Sequence, residues 1–473
     1  MKRRDLLKGS LVGGAALATG RFALGEAASA PADAGGALRA GFAREKITPP
    51  LGTWMMGFGS RDFKQGCQSI HDDVCVRALF LEHKGERALI LAYDLCFVGR
   101  EEADRFKGAL GREFDLLPRQ ILINTSHNHV SPSVGTWYWA GYRPADRLYV
   151  NQLERATLQA ARRAKAEMRE ATMWASFGDT DLPLSRRKPD GKGGIEWAPN
   201  PDGVSYKHLP VCLFKDKGGK PVCLLFSVSV HPSMVSGWDI SAEYPGAACK
   251  LLDEHLGAAA AMFVQGTAGD AKPSVIGKGL DKWRPGTWDD VEQAGRIVAR
   301  ETIAVLDKRL VPIEPGIRTA IAETRWPLQP TPPRSEFEKI VNDTRAEDRA
   351  TNIRCQWASR QLALLDRGDA LPTSASVIVH GMHLGADLRL VGIEGEPVGA
   401  WGYLIEDFYA TGVTFPLGYC NGQGMYLPVS KMIPEGGYEV VSAWEYGYPS
   451  PLAPGMEDIV LNSLVRMRGQ GIM

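Results

Sequence analysis

The stretch Asn124-Thr125-Ser126-His127-Asn128-His129-Val130-Ser131-Pro132 carries two imidazoles one residue apart. It follows an apolar run, Gln120 to Ile123, that reads as the end of a buried strand. Both rings face one side if the chain breaks into a loop there or keeps its period-two alternation. Convergent imidazoles suit a metal ion or a proton relay. The plain alternative is a pair of loop histidines in ordinary hydrogen bonds, since H-x-H is a short pattern with many chance matches. Three further apolar strands end in polar groups: Val230-His231-Pro232, the loop Gln265 to Pro273 with Gly269-Asp270, and Glu394-Gly395-Glu396-Pro397. A catalytic zinc needs about three nitrogen or oxygen ligands and an open position for water. Two histidines and a glutamate make such a set. The candidates are far apart in sequence, so spacing does not join them, and no H-E-x-x-H helix motif is present.

The elements that must position these groups alternate between strand and helix patterns. Val76 to Glu82 and Arg87 to Tyr93 read as a hairpin, the second run ending at Asp94, a strand-end carboxylate. Glu101 to Phe114, Arg147 to Glu170, Trp288 to Leu310, Ser335 to Arg367 and Val398 to Tyr409 read as helices. Leu184 to Gly191 reads as a polar, cation-rich loop, with a solvated surface as its simplest explanation. Cys212 and Cys223 flank the turn Asp216 to Gly219 and could sit opposite each other on a hairpin, though two small core residues are the simpler expectation. The fold class expected is α/β (mixed α+β), one large domain of mixed β-sheets flanked by helices. The proline-rich connection Pro327 to Pro333 reads as internal to that domain, because site-like loops lie on both sides of it.

Composition narrows the function. The 473 residues carry 55 Lys plus Arg against 55 Asp plus Glu, so no basic excess argues for nucleic acid. Lys2-Arg3-Arg4-Asp5-Leu6-Leu7-Lys8, a Gly- and Ala-rich stretch and small residues around Ala30-Pro31-Ala32 read as a twin-arginine signal, residues 1–32. A small-residue linker, 33–38, precedes the domain at 39–473. The expected location is periplasmic or secreted, with no membrane span after signal removal. The eight cysteines contain no C-x-x-C motif.

Ala43 to Pro50, Ser126-His127-Asn128-His129, the Arg186 loop, Val230-His231-Pro232 with Tyr244-Pro245-Gly246, Gln265 to Pro273, Gly395-Glu396-Pro397 and the Tyr426 and Tyr438 loops occur in one order over nearly all of the mature chain. Together they resemble the catalytic domain of the neutral/alkaline (non-lysosomal) ceramidases. The resemblance implies Zn2+ held by His127, His231, Glu396 and Tyr426. It implies that His129 donates a proton to the leaving group, that Tyr438 helps hold the oxyanion and that Arg186 lies in the pocket. Two departures shift the expected substrate. Lys272 stands in Gly269-Asp270-Ala271-Lys272-Pro273 where the family has a serine, and the chain ends at Met473, before the family's C-terminal immunoglobulin-like domain. An ammonium cannot replace a hydroxyl as acceptor, but it could bind an anionic substrate group or, with a lowered pKa, act as acid or base. The expectation is an exported zinc-dependent amide or ester hydrolase acting on a small-molecule or lipid- or glycan-linked substrate other than ceramide. The alternatives are a lyase or sugar-processing enzyme using Lys272 as base, and a non-enzymatic exported binding protein.

Overall fold

The computed structural model describes residues 36–59, 61, 65–135, 146–308, 310–343, 349–422 and 424–473. The expected export signal and the first part of the linker lie outside the described residues.

The hairpin expected around Gly85 is formed by Cys75–His83 and Glu86–Tyr93, with His83 opposite Glu86. Lys84 and Gly85 both take positive φ (50° and 81°), the backbone that a two-residue turn between twisted strands requires. Alternate residues of Cys75–His83 serve two cores: Val76, Ala78 and Phe80 on one face, Leu79 and Leu81 on the other. Covered on both sides, the strand reads as a nearly unbroken apolar run.

These strands belong to a nine-stranded sheet whose order is Ala261–Gln265, Pro221–Val228, His208–Asp216, Arg169–Asp179, Arg39–Lys46, Cys75–His83, Glu86–Tyr93, Ile121–Thr125, with Val311–Ile313 pairing off Arg169–Asp179. The sheet is antiparallel in its middle and parallel at both ends, where Ile121–Thr125 joins Glu86–Tyr93 and Ala261–Gln265 joins Pro221–Val228. A four-stranded sheet, Pro315–Pro327, Ser374–Gly385, Leu388–Ile393 and Val413–Leu417, lies against it. The shared core includes Leu81, Ile90, Leu225 and Met262 from the large sheet and Met382, Leu390 and Phe415 from the small one. Helices Arg100–Phe114 and Arg147–Ala166 cover one half of the large sheet's outer face, and Glu243–Leu256 with Trp288–Lys308 cover the other. Gly399–Tyr409 and Met456–Gly469 cover the small sheet. The result is a helix–sheet–sheet–helix stack, in the α/β class expected. Among the described residues no helix is long and apolar enough to cross a membrane.

Three expectations are corrected. The helix expected over Arg147 to Glu170 stops at Ala166, because Arg169 and Glu170 already pair with Ala40 and Arg39 in the sheet. Ser335 to Arg367 is two helices, Arg334–Val341 and Arg349–Asp366. The cation-rich loop is a strand, Pro183–Pro189, between Ile195–Asn200 and Ala271–Pro273 in a three-stranded sheet. Its arginines are not solvated; Arg186 and Arg187 are buried against Glu439, which makes a polar run compatible with an interior strand. The hairpin at Asp216 to Gly219 forms, its register sets Cys223 opposite Phe214 and Cys212 opposite Leu225, and both cysteines are free and buried, the small core residues that were the simpler expectation.

Candidate metal centre and active site

Strands of parallel pairs deliver their carboxyl ends to a common rim. Asn124, fully buried, fastens three of those ends: its Nδ2 donates to Gly418 O (2.8 Å) and Gln265 O (3.2 Å), and its Oδ1 accepts from Gln265 N (2.8 Å). Just beyond, the chain turns sharply at His127, whose φ is 61°. That conformation is costly for a residue with a Cβ and persists only where neighbours fix it. Here Ser126 N donates to Tyr93 O (2.9 Å), His129 N to Pro232 O (3.1 Å), and Val130 N to Asn128 Oδ1 (2.9 Å). Arg61 braces the loop by donating to His129 O (3.0 Å). Gly57 is required opposite: a Cβ there would come within 2.6 Å of His129 Cα.

The loop brings His127 to His231 and Glu396, and the ligand atoms of these three lie within 4.8 Å of one another. Glu396 Oε2 is 3.1 Å from His127 Nε2 and 3.3 Å from His231 Nε2. The far side of each ring fixes its tautomer. His127 Nδ1 donates to Cys96 O (3.2 Å) and His231 Nδ1 to Ala268 O (2.7 Å). Both Nε2 lone pairs therefore face the carboxylate. Burial, then the charge of Arg186, pushes His231 down to about 3, so its ring is neutral. Burial opposes ionisation of Glu396, and only positive charge on the imidazole side, at His127 first, holds it well below the usual carboxylate range. Lone pairs meeting a carboxylate oxygen need positive charge between them. A proton serves one of these two contacts; a divalent ion serves all three groups at once. Tyr446 O–H donates to Glu396 Oε1 (2.6 Å), and the Tyr426 hydroxyl lies 3.3 Å from His231 Nε2, at the edge of the same cluster. Two imidazole nitrogens, a carboxylate and a phenol oxygen form a donor set that fits zinc.

The cluster lies on a cavity of about 270 Å³. His129 Nε2 is 3.0 Å from His127 Nε2, and burial, then His127, keeps its ring neutral, well below its usual value. Arg186 donates from Nε to Glu439 Oε1 (2.7 Å) and lies 4.0 Å from the Trp197 ring centroid. Lys272, on the strand Ala271–Pro273, lines the wall with its Nζ 5.6 Å from the Trp283 ring centroid. Tyr438 also lines it, but its O–H donates to Glu445 Oε2 (2.7 Å). The eight candidate metal, catalytic and substrate-binding residues thus border one cavity. Asp270 does not; its Oδ1 accepts from Gly399 N (2.7 Å) and it faces a neighbouring cleft.

Sequence reading missed Cys96, Glu445 and Tyr446 on the cavity wall, and Glu439 behind it. Cys96 forms a second compact group of ligand atoms with His127 and His129. Glu445 and Tyr446 sit in a one-turn 3-10 segment, Ser442–Tyr446, too short to show periodicity. Glu439 had a visible signal, adjacency to Tyr438.

Among solved structures, the neutral ceramidase from Pseudomonas aeruginosa superposes with a TM-score of 0.69, covering 92% of this chain and 75% of that one at 16% identity. A ceramidase complexed with C2 superposes equally, with 92% and 76% coverage, TM-score 0.69 and 16% identity. The fold is that of the neutral ceramidases. No protein-family model and no curated protein matches the chain. At this identity the likeness to neutral ceramidases is one of backbone, and the chemistry rests on the residues at the cavity.

Proposed function

We propose that this chain is an exported zinc-dependent hydrolase on the neutral ceramidase fold, cleaving an amide or ester in a substrate more polar than ceramide. The observation that carries the reading is the meeting of two tautomer-fixed Nε2 lone pairs with Glu396 Oε2 on a cavity wall. His127, His231 and Glu396 would hold the ion, with Tyr426 as the fourth ligand. Bound there, zinc supplies a water of pKa about 7 and polarises the scissile carbonyl. His129 is neutral and its Nε2 reaches the cluster, so it is suited to take a proton and return it to the leaving group. Arg186 and Tyr438 stand where donors could hold a developing oxyanion. Tyr438 can do so only when Glu445 does not claim its proton.

Zinc-loaded protein should cleave members of a panel of acyl amides and esters and lose that activity on chelation. His129→Ala should keep its zinc and lose about 10²- to 10⁴-fold in kcat. Full turnover in metal-free protein would overturn the reading. Lys272, pushed down to about 8 by burial and then by Arg186, favours a second reading in which it is the base of a lyase or sugar-processing reaction. Reaction in heavy-oxygen water separates the two, because hydrolysis puts one solvent oxygen into the acid product and elimination does not.

A further inference from the structure

Of the cations on and behind the cavity wall beside the metal cluster, not every one meets a carboxylate. Arg186 and Arg187 share Glu439, bonded at 2.7 Å from each, and Arg187 also reaches the half-buried Glu435 at 3.1 Å. That leaves Lys272, which has no carboxylate in ion-pair contact among the described residues. The acidic group that acts on it is Glu243, whose oxygens are taken by the backbone N–H groups of Met234 (2.7 Å) and Tyr244 (3.2 Å). Arg186 Nη2 is buried and has no partner in hydrogen-bond geometry, the Tyr426 phenol being the neighbour that acts on this guanidinium, although its Nε is bonded to Glu439. Trp283 lies beside the half-buried Lys272, and Trp197 lies over the buried Arg186. An ammonium and a guanidinium end kept this way are costly unless a counter-ion arrives.

We propose that Lys272 and the free end of Arg186 form a carboxylate-binding subsite, and that the substrate is an acyl amide or ester carrying a carboxylate. The chemical class rests on the hydrolase reading above; the subsite itself rests only on the two cations. Arg186 offers a planar N–H edge and Lys272 a rotatable point charge, so one carboxylate can accept from both. The cavity, about 270 Å³, holds the polar end of such a molecule beside the metal cluster. In this role Lys272 works in its charged form, not as a base.

The test is binding to the zinc-loaded full-length chain, read by calorimetry, with N-acetylglycine and its neutral analogue N-acetylglycinamide as probes. Wild type should prefer the carboxylate probe by about 10- to 100-fold, the worth of a charge-assisted contact. Lys272→Met should erase the preference with zinc content and melting temperature retained. Lys272→Arg, which keeps the charge but cannot act as a base, should restore it. A preference that survives in Lys272→Met would mean that the metal alone holds the carboxylate, and would overturn the subsite, as would no preference in wild type. Turnover of two substrate series, one with the carboxylate on the acyl part and one with it on the amine or alcohol part, shows which side faces Lys272. If the binding preference follows Lys272 but neither series is cleaved, the subsite stands and the hydrolase reading fails. If both series and neutral amides are cleaved alike, the reverse holds.

Discussion

Two buried carboxylates follow strands of this fold, and their surroundings could hardly differ more. Asp94, just after Glu86–Tyr93, accepts from Arg77 Nη1 (2.7 Å) and from Cys75 N (2.9 Å), with both side chains almost fully buried. Each partner there is a donor. Glu396, just after Leu388–Ile393, has one oxygen held by Tyr446 and the other pointed at two lone pairs. Even its near neighbour Glu394 is ordinary, paired with Arg100 and accepting from Ile378 N (3.0 Å). A carboxylate at a strand end is therefore no mark of a site in itself. What marks one is a shell that donors within the fold leave incomplete.

The sharpest way to break this comparison is to remove what completes the Glu396 shell. Chelation, or His231→Ala, should take zinc content and turnover to background together, a loss we place at roughly 10³-fold or more. At a zinc concentration about a thousand times its Kd, the wild type should gain about 4 kcal/mol from the metal, and His231→Ala should gain none. Metal analysis and thermal unfolding of the same samples check both. Normal zinc occupancy in His231→Ala would sink the ligand assignment.

The complementary change attacks Asp94. Arg77→Met leaves a buried carboxylate without its cation and should cost about 3–5 kcal/mol, with zinc stoichiometry unchanged in the folded fraction. Glu396→Gln should do the opposite. Its amide can donate to an imidazole lone pair, so the metal-free variant should be no less stable than metal-free wild type, while zinc affinity collapses. Urea unfolding of metal-free samples compares the two directly. Equal destabilisation by both changes would mean that Glu396 is a structural carboxylate like Asp94.

A smaller effect is expected at Glu445, which burial and then the charge of Glu396 push up to about 7. Below that value Glu445 is protonated and can leave the Tyr438 proton free for the cavity; above it, the carboxylate takes the Tyr438 O–H. A cation at Glu396 moves the change to lower pH. Glu445 is thus a positioning residue acting through Tyr438. Wild-type kcat/KM should fall with rising pH at or below about 7 by a modest factor, roughly 10-fold. Glu445→Gln should remove that limb and Glu445→Asp should keep one. An unchanged profile in Glu445→Gln would exclude the coupling.

How much of this was legible beforehand follows from the same contrast. The strands ending at Thr125, Val228, Gln265 and Ile393 announce themselves because parallel strands covered on both faces are nearly pure apolar runs. The polar residue that interrupts each run is conspicuous. Convergence is another matter. Nothing between His127 and Glu396 encodes that Asn124 ties Gln265 and Gly418 to the same rim. Arg186 was visible as a residue but its strand was not, because the carboxylate that allows its burial, Glu439, lies far along the chain. Glu445 lacked even a local pattern. Long-range pairing of charges is the part of this fold that a single sequence hides.

The smallest predicted effect tests the satisfied class once more, at Asp290. At the start of the helix Trp288–Lys308 this carboxylate accepts from Arg284 Nη2 (2.6 Å) and Nη1 (2.7 Å) and from Thr287 N (2.8 Å). The Arg284 hydrogen bond leads the causes that lower it from 3.8 to about 2. A carboxyl lowered on folding adds stability that is complete above its unfolded value and lost as pH falls through the folded one. Asp290→Asn should therefore cost stability at about pH 6, and the gap to wild type should close as the pH approaches about 2. The measurement belongs on metal-free protein, since protonation of the histidines releases zinc over an overlapping range and would mask the difference. If Asp290 is a satisfied structural carboxylate, its whole contribution is this short acid window, independent of zinc. A gap that stays constant with pH would show that the helix start is held by its backbone bonds and not by the charge.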